Sequence, residues 1–261
     1  MDKTLAAALI IANARRNRRR LGSLSSDIAP RDEAEGYRIQ RAVHDLLLPH
    51  FGAMVGYKIG CTSAVMQQYL NIPRPCGGGV FAKGVHDSGV SLPASGFVRV
   101  GVECEIAVRL GQDLPASRAP FTADSVASAI EAYHPAIEIV DERYVDWQSI
   151  GAPTLVADDF YAAGCVLGEP VVRSALPDLL KVAGRAIVND VEVSRGTGAD
   201  VLGHPHNPLA WLANHLAADG RGLRAGQVVL TGSLVKTIWL NAGDKVTMEL
   251  SGLGAVHAAF S

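Results

Sequence analysis

From Phe97 to Leu110 the chain alternates strictly between apolar and other residues. Val98, Val100, Val102, Cys104, Ile106, Val108 and Leu110 occupy the even positions; Arg99, Gly101, Glu103, Glu105 and Arg109 stand among the odd ones. A period of two is the mark of a half-buried strand, with its even side chains turned into a core. The N-terminal part follows a helical period instead. Residues 4–20 read as a helix closing on Arg15, Arg16, Arg18, Arg19 and Arg20, a basic run that suits a solvated helix end. After a polar loop, Asp32 with Glu35 resembles a capping box opening a helix with Ile39, Val43, Leu46 and Leu47 on one face, stopping at Pro49.

Beyond Met54 the pattern shortens into strands punctuated by glycine and proline. Asn71 to Phe81, with Pro73, Pro75 and three consecutive glycines, reads as a loop that wraps a pocket. Thr122 to Tyr133 reads as a capped helix, and Asn207-Pro208 as the start of another that carries Leu209, Leu212 and Leu216 and ends at Gly220. Strands follow near Val228–Leu230, Lys245–Leu250 and Ala255–Phe260, with turns at Asn241–Asp244 and Gly252–Gly254. Few strands are separated by helices, so an alternating βα fold is disfavoured. The expectation is an α+β protein: a helical segment over residues 1–52, then a mixed, rolled or barrel-like sheet over 53–261.

Composition narrows the class. The chain has 261 residues, 48% of them apolar, and a formal net charge of −2, which gives no general attraction to nucleic acid or membrane. The arginine run lacks interleaved aromatics and is no nucleic-acid platform. Four cysteines without a CxxC pair fit reduced, mostly buried thiols, and no apolar run reaches membrane-spanning length. The expected setting is the cytoplasm.

The acidic residues carry the chemistry. Glu103 and Glu105 share a strand face, about 6–7 Å apart, and a solvated face would explain them. Glu138, however, lies between Ile137 and Ile139 in an apolar strand, where a carboxylate needs a cation. Three carboxylates with no His or Cys at coordinating spacing form an all-oxygen set that suits Mg²⁺ or Mn²⁺. Arg99 or Arg109 could instead pair with Glu103 or Glu105 and leave no metal. Lys58, in a glycine-flanked strand end, is either a snorkelling side chain or a desolvated ammonium facing a carboxylate or an anionic substrate. The glycines Gly77-Gly78-Gly79 lack the rest of a phosphate loop. His204 and His206 are explained by a turn before a helix, Asp141, Glu142 and Arg143 by a charged strand end, and Trp147, Trp211 and Trp239 by packing.

These residues resemble the 2-keto-4-pentenoate hydratase family of the fumarylacetoacetate hydrolase superfamily. The resemblance rests on GYKIG around Lys58, GVECEIAVRL, PAIEIVDERYVDW and the long GHPHNPLAWLANHLAADGRGLRAGQVVLTGSL segment, with GDKVTMELSGLGAVHAAF closing the chain. Glu-x-Glu followed 33 residues later by an acid is a fairly specific signature. The resemblance implies a mixed β-roll, assembly into homo-oligomers, and Mg²⁺ or Mn²⁺ on Glu103, Glu105 and Glu138. It further implies a catalytic or substrate-orienting Lys58, with Glu105 catalytic, and a substrate carboxylate held near Thr231-Gly232-Ser233. The implied reaction is hydration of a 2-hydroxy-2,4-dienoate to a 4-hydroxy-2-oxo acid in aromatic catabolism. Decarboxylation of an oxalocrotonate-like diacid or cleavage of a β-diketone would use the same enolate stabilisation, and an inactive metal-binding scaffold is the non-enzymatic alternative. The hydrolase branch carries its lysine after the third acid, where this chain offers Lys181 in an expected helix. Two positions depart from the family pattern. Pro75-Cys76-Gly77-Gly78 replaces P-D-x-G, and Ala157-Asp158-Asp159-Phe160-Tyr161 replaces ADNAS, leaving Tyr161 or Asp159 as substitutes for a polar pocket group.

Overall fold

The computed structural model describes residues 2–63, 66–68 and 71–261. Two helices come first: α1 (Lys3–Asn17) and α2 (Glu33–Phe51). Asp32 caps α2 by accepting from the Glu35 amide at 2.8 Å, and the helix runs through Pro49 to Phe51 rather than stopping there. Pro49 sits in the last turn, where little helix remains to be disrupted. Fourteen strands follow among the described residues. They are β1 (Met54–Gly60), β2 (Cys76–Phe81), β3 (Val85–Asp87), β4 (Val90–Leu92), β5 (Val100–Leu110), β6 (Ile130–Asp141) and β7 (Ala162–Leu167). Then come β8 (Val171–Val172), β9 (Ala183–Val188), β10 (Val191–Thr197), β11 (Val228–Ser233), β12 (Ile238–Trp239), β13 (Lys245–Leu250) and β14 (Gly254–Phe260).

A mixed nine-stranded sheet has the order β2-β1-β11-β5-β6-β7-β3, with β12 on β5 and β8 on β6; a second sheet runs β10-β9-β13-β14-β4. The large sheet curls until β2, at one edge, touches β7 near the other. At that seam a side chain on Gly164 would meet the Gly84 carbonyl at 2.3 Å, so the close approach needs a glycine. The roll is open, because β2 and β3 are edges and no ladder joins them.

The even side chains of β5 all point into the main core, as the alternation predicts, against Tyr133, Ile137 and Ile139 of β6, the second sheet and the helix His206–Ala218. The odd face lines the inside of the roll instead of meeting solvent. There Ala107, Ala136, Cys165 and Leu230 pack into a small apolar interior below the carboxylates. All four cysteines are free and buried. The helical pair packs separately through Ala8, Ile11, Val43 and Leu47, reaching Phe81 of β2 and Ala157.

Several expectations give way. The glycine-rich stretch from Cys76 is a buried strand paired antiparallel with β1, because β1 supplies the ladder that no local pattern could reveal. The helix expected over 122–133 is a five-residue turn, Ala123–Ala127, capped by Thr122; from Ile130 the chain joins β5 as β6. Helix His206–Ala218 begins one residue before Asn207, whose side-chain amide donates to the Leu202 carbonyl. Arg15 is no solvated helix end: its side chain is 6% exposed and bonds Asp159 at 2.6 Å. No described helix is long and apolar enough to cross a membrane.

Candidate active site

In the β5–β6 ladder Glu103 stands directly opposite Glu138, and Glu105 follows two residues along the same face of β5. One oxygen from each carboxylate lies within 4.8 Å of the other two. Lys58 enters from β1, three strand spacings from β6, about 14 Å across a flat sheet. The curl of the roll and two long side chains close that gap: Lys58 Nζ is 2.9 Å from Glu138 Oε1. Glu105 is 0%, Glu138 1% and Lys58 3% exposed.

The sequence builds each position locally. β11 follows β5 in register to Leu230, slips, and resumes at Ser233 opposite Glu105. Within that irregularity Gly232 has φ +120°, and a Cβ there would lie 2.3 Å from Thr62 Oγ1. Only glycine fits, and its N–H donates to Glu105 Oε2 at 2.7 Å. The Thr237 hydroxyl donates to Glu103 Oε1. Glu105 Oε1 and Glu138 Oε2 have no hydrogen-bond partner among the described residues, although both are buried. Thus a single ammonium faces three carboxylates, two of which point a bare oxygen inward. A buried set so short of positive charge fits a hard divalent cation and fits little else.

Electrostatics agree with the geometry. Burial, with Glu138 beside it, pushes the Glu103 carboxyl up to about 7. Burial also raises Glu105 well above the ordinary range, reinforced by Glu138 and Glu103. For Lys58 burial acts downward, but Glu138, Glu103 and Glu105 outweigh it and hold the amine above its usual value. The ammonium keeps its proton.

The remaining sequence-derived positions fall as follows. Neither Arg99 nor Arg109 forms an ion pair with Glu103 or Glu105 among the described residues; Arg99 pairs with Glu142 and stacks on Trp239 at 4.3 Å. Thr231 donates its hydroxyl to the Ile106 carbonyl, and the Ser233 hydroxyl lies 3.4 Å from the Cys104 carbonyl. With the Gly232 amide used by Glu105, this segment positions a carboxylate in the structure rather than offering free donors. Asp141 ends β6 and Glu142 and Arg143 follow it, but all three are buried, and Arg143 pairs with Asp158 at 2.9 Å. Lys181 lies on an exposed 3-10 turn paired with Asp178, not in a helix and not at the carboxylates. His206 Nε2 lies 2.8 Å from the Tyr133 hydroxyl, and burial pushes its ring down to about 4. Trp211 stacks on His215.

Sequence reasoning missed how Asp159 is held, and it missed Thr237. Asp159 is fully committed: it takes hydrogen bonds from Arg15 at 2.6 Å and the Gly79 amide at 3.0 Å, with His44 Nε2 at 2.7 Å. It therefore substitutes for no pocket group. Thr237 was silent because a threonine in a turn carries no motif.

A curled mixed sheet with an inward Glu-x-Glu, a third acid opposite and a buried lysine defines the class. Residues 78–261 match the fumarylacetoacetate (FAA) hydrolase C-terminal family, and the chain belongs to that family. It is 38% identical to the 2-keto-4-pentenoate hydratase of Burkholderia vietnamiensis (strain G4 / LMG 22486), across 88% of this chain and 87% of that one. It is 35% identical to 2-keto-4-pentenoate hydratase 1 of Dechloromonas aromatica (strain RCB), across 99% and 97%. Among solved structures, 4-oxalocrotonate decarboxylase from Pseudomonas putida G7, complexed with magnesium and adipate, superposes with a TM-score of 0.93. It is 27% identical, over 99% of this chain and 97% of that one. The same enzyme is also known complexed with calcium and acetate. The chain is an enzyme of this lyase group, and its site is of the divalent-metal kind.

Proposed function

We propose that the protein is a hydratase that adds water to a 2-hydroxy-2,4-dienoate of the 2-keto-4-pentenoate type, giving a 4-hydroxy-2-oxo acid. Mg²⁺ or Mn²⁺ is the cation, held by Glu103, Glu105 and Glu138. The carrying observation is the set of three converging carboxylates with bare inward oxygens, on a chain 38% identical to a hydratase over most of its length. Such a cation would supply Lewis acidity that favours negative charge on the C2 oxygen of the substrate.

The protein's own groups do the rest. Thr237 and the Gly232 amide hold Glu103 and Glu105 at fixed angles, so the ligands are pre-organised. Lys58 Nζ, 2.9 Å from Glu138 and held protonated by the three carboxylates in the metal-free protein, stands where it can orient the anionic substrate or take part in proton transfer. The apolar interior beneath them excludes bulk water and strengthens each of these attractions. Decarboxylation of an oxalocrotonate-like diacid is the second reading, favoured by the 0.93 TM-score to a decarboxylase.

The test follows the ultraviolet absorbance of 2-hydroxypenta-2,4-dienoate with Mg²⁺ or Mn²⁺, with EDTA, and with Glu105→Gln. Loss of the chromophore that stops on chelation, and falls more than about 100-fold in the variant, is expected, because an amide cannot supply the anionic ligand. Carbon dioxide release from the diacid would shift the reading to decarboxylase. Inertness toward all dienoates and 2-oxo acids would leave a scaffold.

A further inference from the structure

Asp159, Phe160 and Tyr161 have φ of +53°, +46° and +69°, three successive non-glycine residues in the left-handed region. A run of this kind is unfavourable in itself and persists only where its surroundings over-determine it. Here they do. Asp159 is gripped by Arg15 of α1, His44 of α2 and the Gly79 amide of β2, while Arg15 also donates to the Ala162 carbonyl at 3.1 Å. The Arg143 guanidinium, paired with Asp158, fixes the residue just before.

That turn carries the Tyr161 ring to within 6.0 Å of the Tyr144 ring, edge on. Both hydroxyl oxygens are buried, and neither has a hydrogen-bond partner among the described residues; Tyr144 is 2% exposed. Two phenols without partners in one apolar wall are a costly arrangement unless something accepts from them. Burial keeps both phenols protonated, so they are donors. The wall also contains Cys61, Ile72, Cys76 and Phe160. It adjoins the site, since the Lys58 ammonium lies close enough to Cys76 of this wall to act on its thiol.

We propose that the Asp159–Tyr161 turn is a specificity element, presenting the Tyr161 and Tyr144 hydroxyls to a neutral oxygen on the substrate tail, beyond the end held at the carboxylates. The inference rests on the hydratase reading and refines its substrate class. A neutral acceptor is favoured over a second carboxylate because the wall holds no unpaired cation among the described residues. Arg143 is balanced by Asp158 at 2.9 Å and Asp141 at 3.8 Å, and Lys58 is paired with Glu138. Tyr161 and Tyr144 are substrate-contacting residues in this scheme, and Asp159 is a positioning residue.

The test compares tails that differ by one atom, an ether oxygen against a methylene. With metal-loaded enzyme, kcat/KM is measured for 2-hydroxy-6-methoxyhexa-2,4-dienoate and 2-hydroxyocta-2,4-dienoate, and for 2-hydroxymuconate as the charged tail. Binding of the unreactive 6-methoxy-2-oxohexanoate and 2-oxooctanoate is measured in parallel by calorimetry. Wild type is expected to favour the ether about three- to tenfold in both assays, mainly through KM, as one or two neutral hydrogen bonds allow. Tyr161→Phe and Tyr144→Phe, which keep the ring and the packing, should bring the ratio towards one. Asp159→Asn should lower it with both hydroxyls intact. An ether-to-methylene ratio near one in wild type, a ratio unchanged in Tyr161→Phe, or a preference for the charged tail would each overturn the inference. If no dienoate turns over but the binding ratio persists, the hydration reading fails while the tail subsite stands. If both turn over without preference, the reverse holds.

Discussion

At the scale of single residues the site depends on one amide as much as on its charged groups. Gly232 is confined by φ +120° and by Thr62, and its N–H is the sole hydrogen bond that Glu105 receives among the described residues. Gly232→Ala must move the backbone or Thr62, and it withdraws that donor. The expected result is a loss of roughly 1–3 kcal/mol of stability together with a 10- to 100-fold weaker apparent metal affinity, as for other groups that orient ligands. Urea unfolding and metal titration would measure the two separately; a variant with unchanged metal affinity would remove the amide from the argument. The charged residues were legible because chemistry leaves a mark on sequence: Glu138 between two isoleucines has no comfortable solution without a cation. The Gly232 amide was not, because a glycine in LTGS looks like any turn until the register slip in β11 is seen.

At the scale of elements, the alternation in β5 foretold its buried face and placed Glu103 with Glu105, since period two is a local property of a strand. Where partners decide, local pattern failed. Three glycines have no strand propensity, yet β2 forms because β1 lies beside it and because larger side chains would strike neighbours: a Cβ on Gly78 would fall 2.9 Å from Asp159 Cβ. Thr122–Tyr133 has a helical cap, but the long pairing with β5 available to the twelve-residue β6 ends the helix after one turn. The basic end of α1 divides in the same way. Arg19 is exposed, whereas Arg15 is inserted against Asp159 and ties α1 to the turn beside the site. Arg15→Ala would leave a buried carboxylate with the His44 ring and the Gly79 amide as its remaining partners. We expect a loss of about 3–5 kcal/mol in urea unfolding, against less than about 0.5 kcal/mol for Arg19→Ala as the exposed control. Equal small losses would mean that α1 is held by its apolar face alone.

At the scale of the whole molecule, two buried acidic groups impose opposite pH dependences, and their windows do not overlap. Burial would raise Asp159, but His44 and Arg15 hold it well below the ordinary aspartate range, so its contribution is present above that range and lost as the solution becomes strongly acidic. Glu103 runs the other way. Burial and Glu138 raise it to about 7 from an ordinary 4.5, and Glu105 lies well above its ordinary value too. A raised carboxyl binds more protons folded than unfolded. The metal-free protein therefore has this contribution in full below about pH 4.5 and loses it as pH climbs through 7. A divalent cation on the same oxygens displaces those protons and removes the repulsion, so its stabilisation must grow over that interval. Thermal unfolding with EDTA and with Mg²⁺ should thus give curves that converge near pH 5 and separate steadily towards pH 8, the EDTA curve falling. Calorimetric titration at pH 6.5 in buffers of different ionisation enthalpy should also show net proton release on metal binding. Parallel curves with no proton release would mean that the three glutamates are already ionised, and that Lys58 with the local hydrogen bonds suffices to hold them together without a metal.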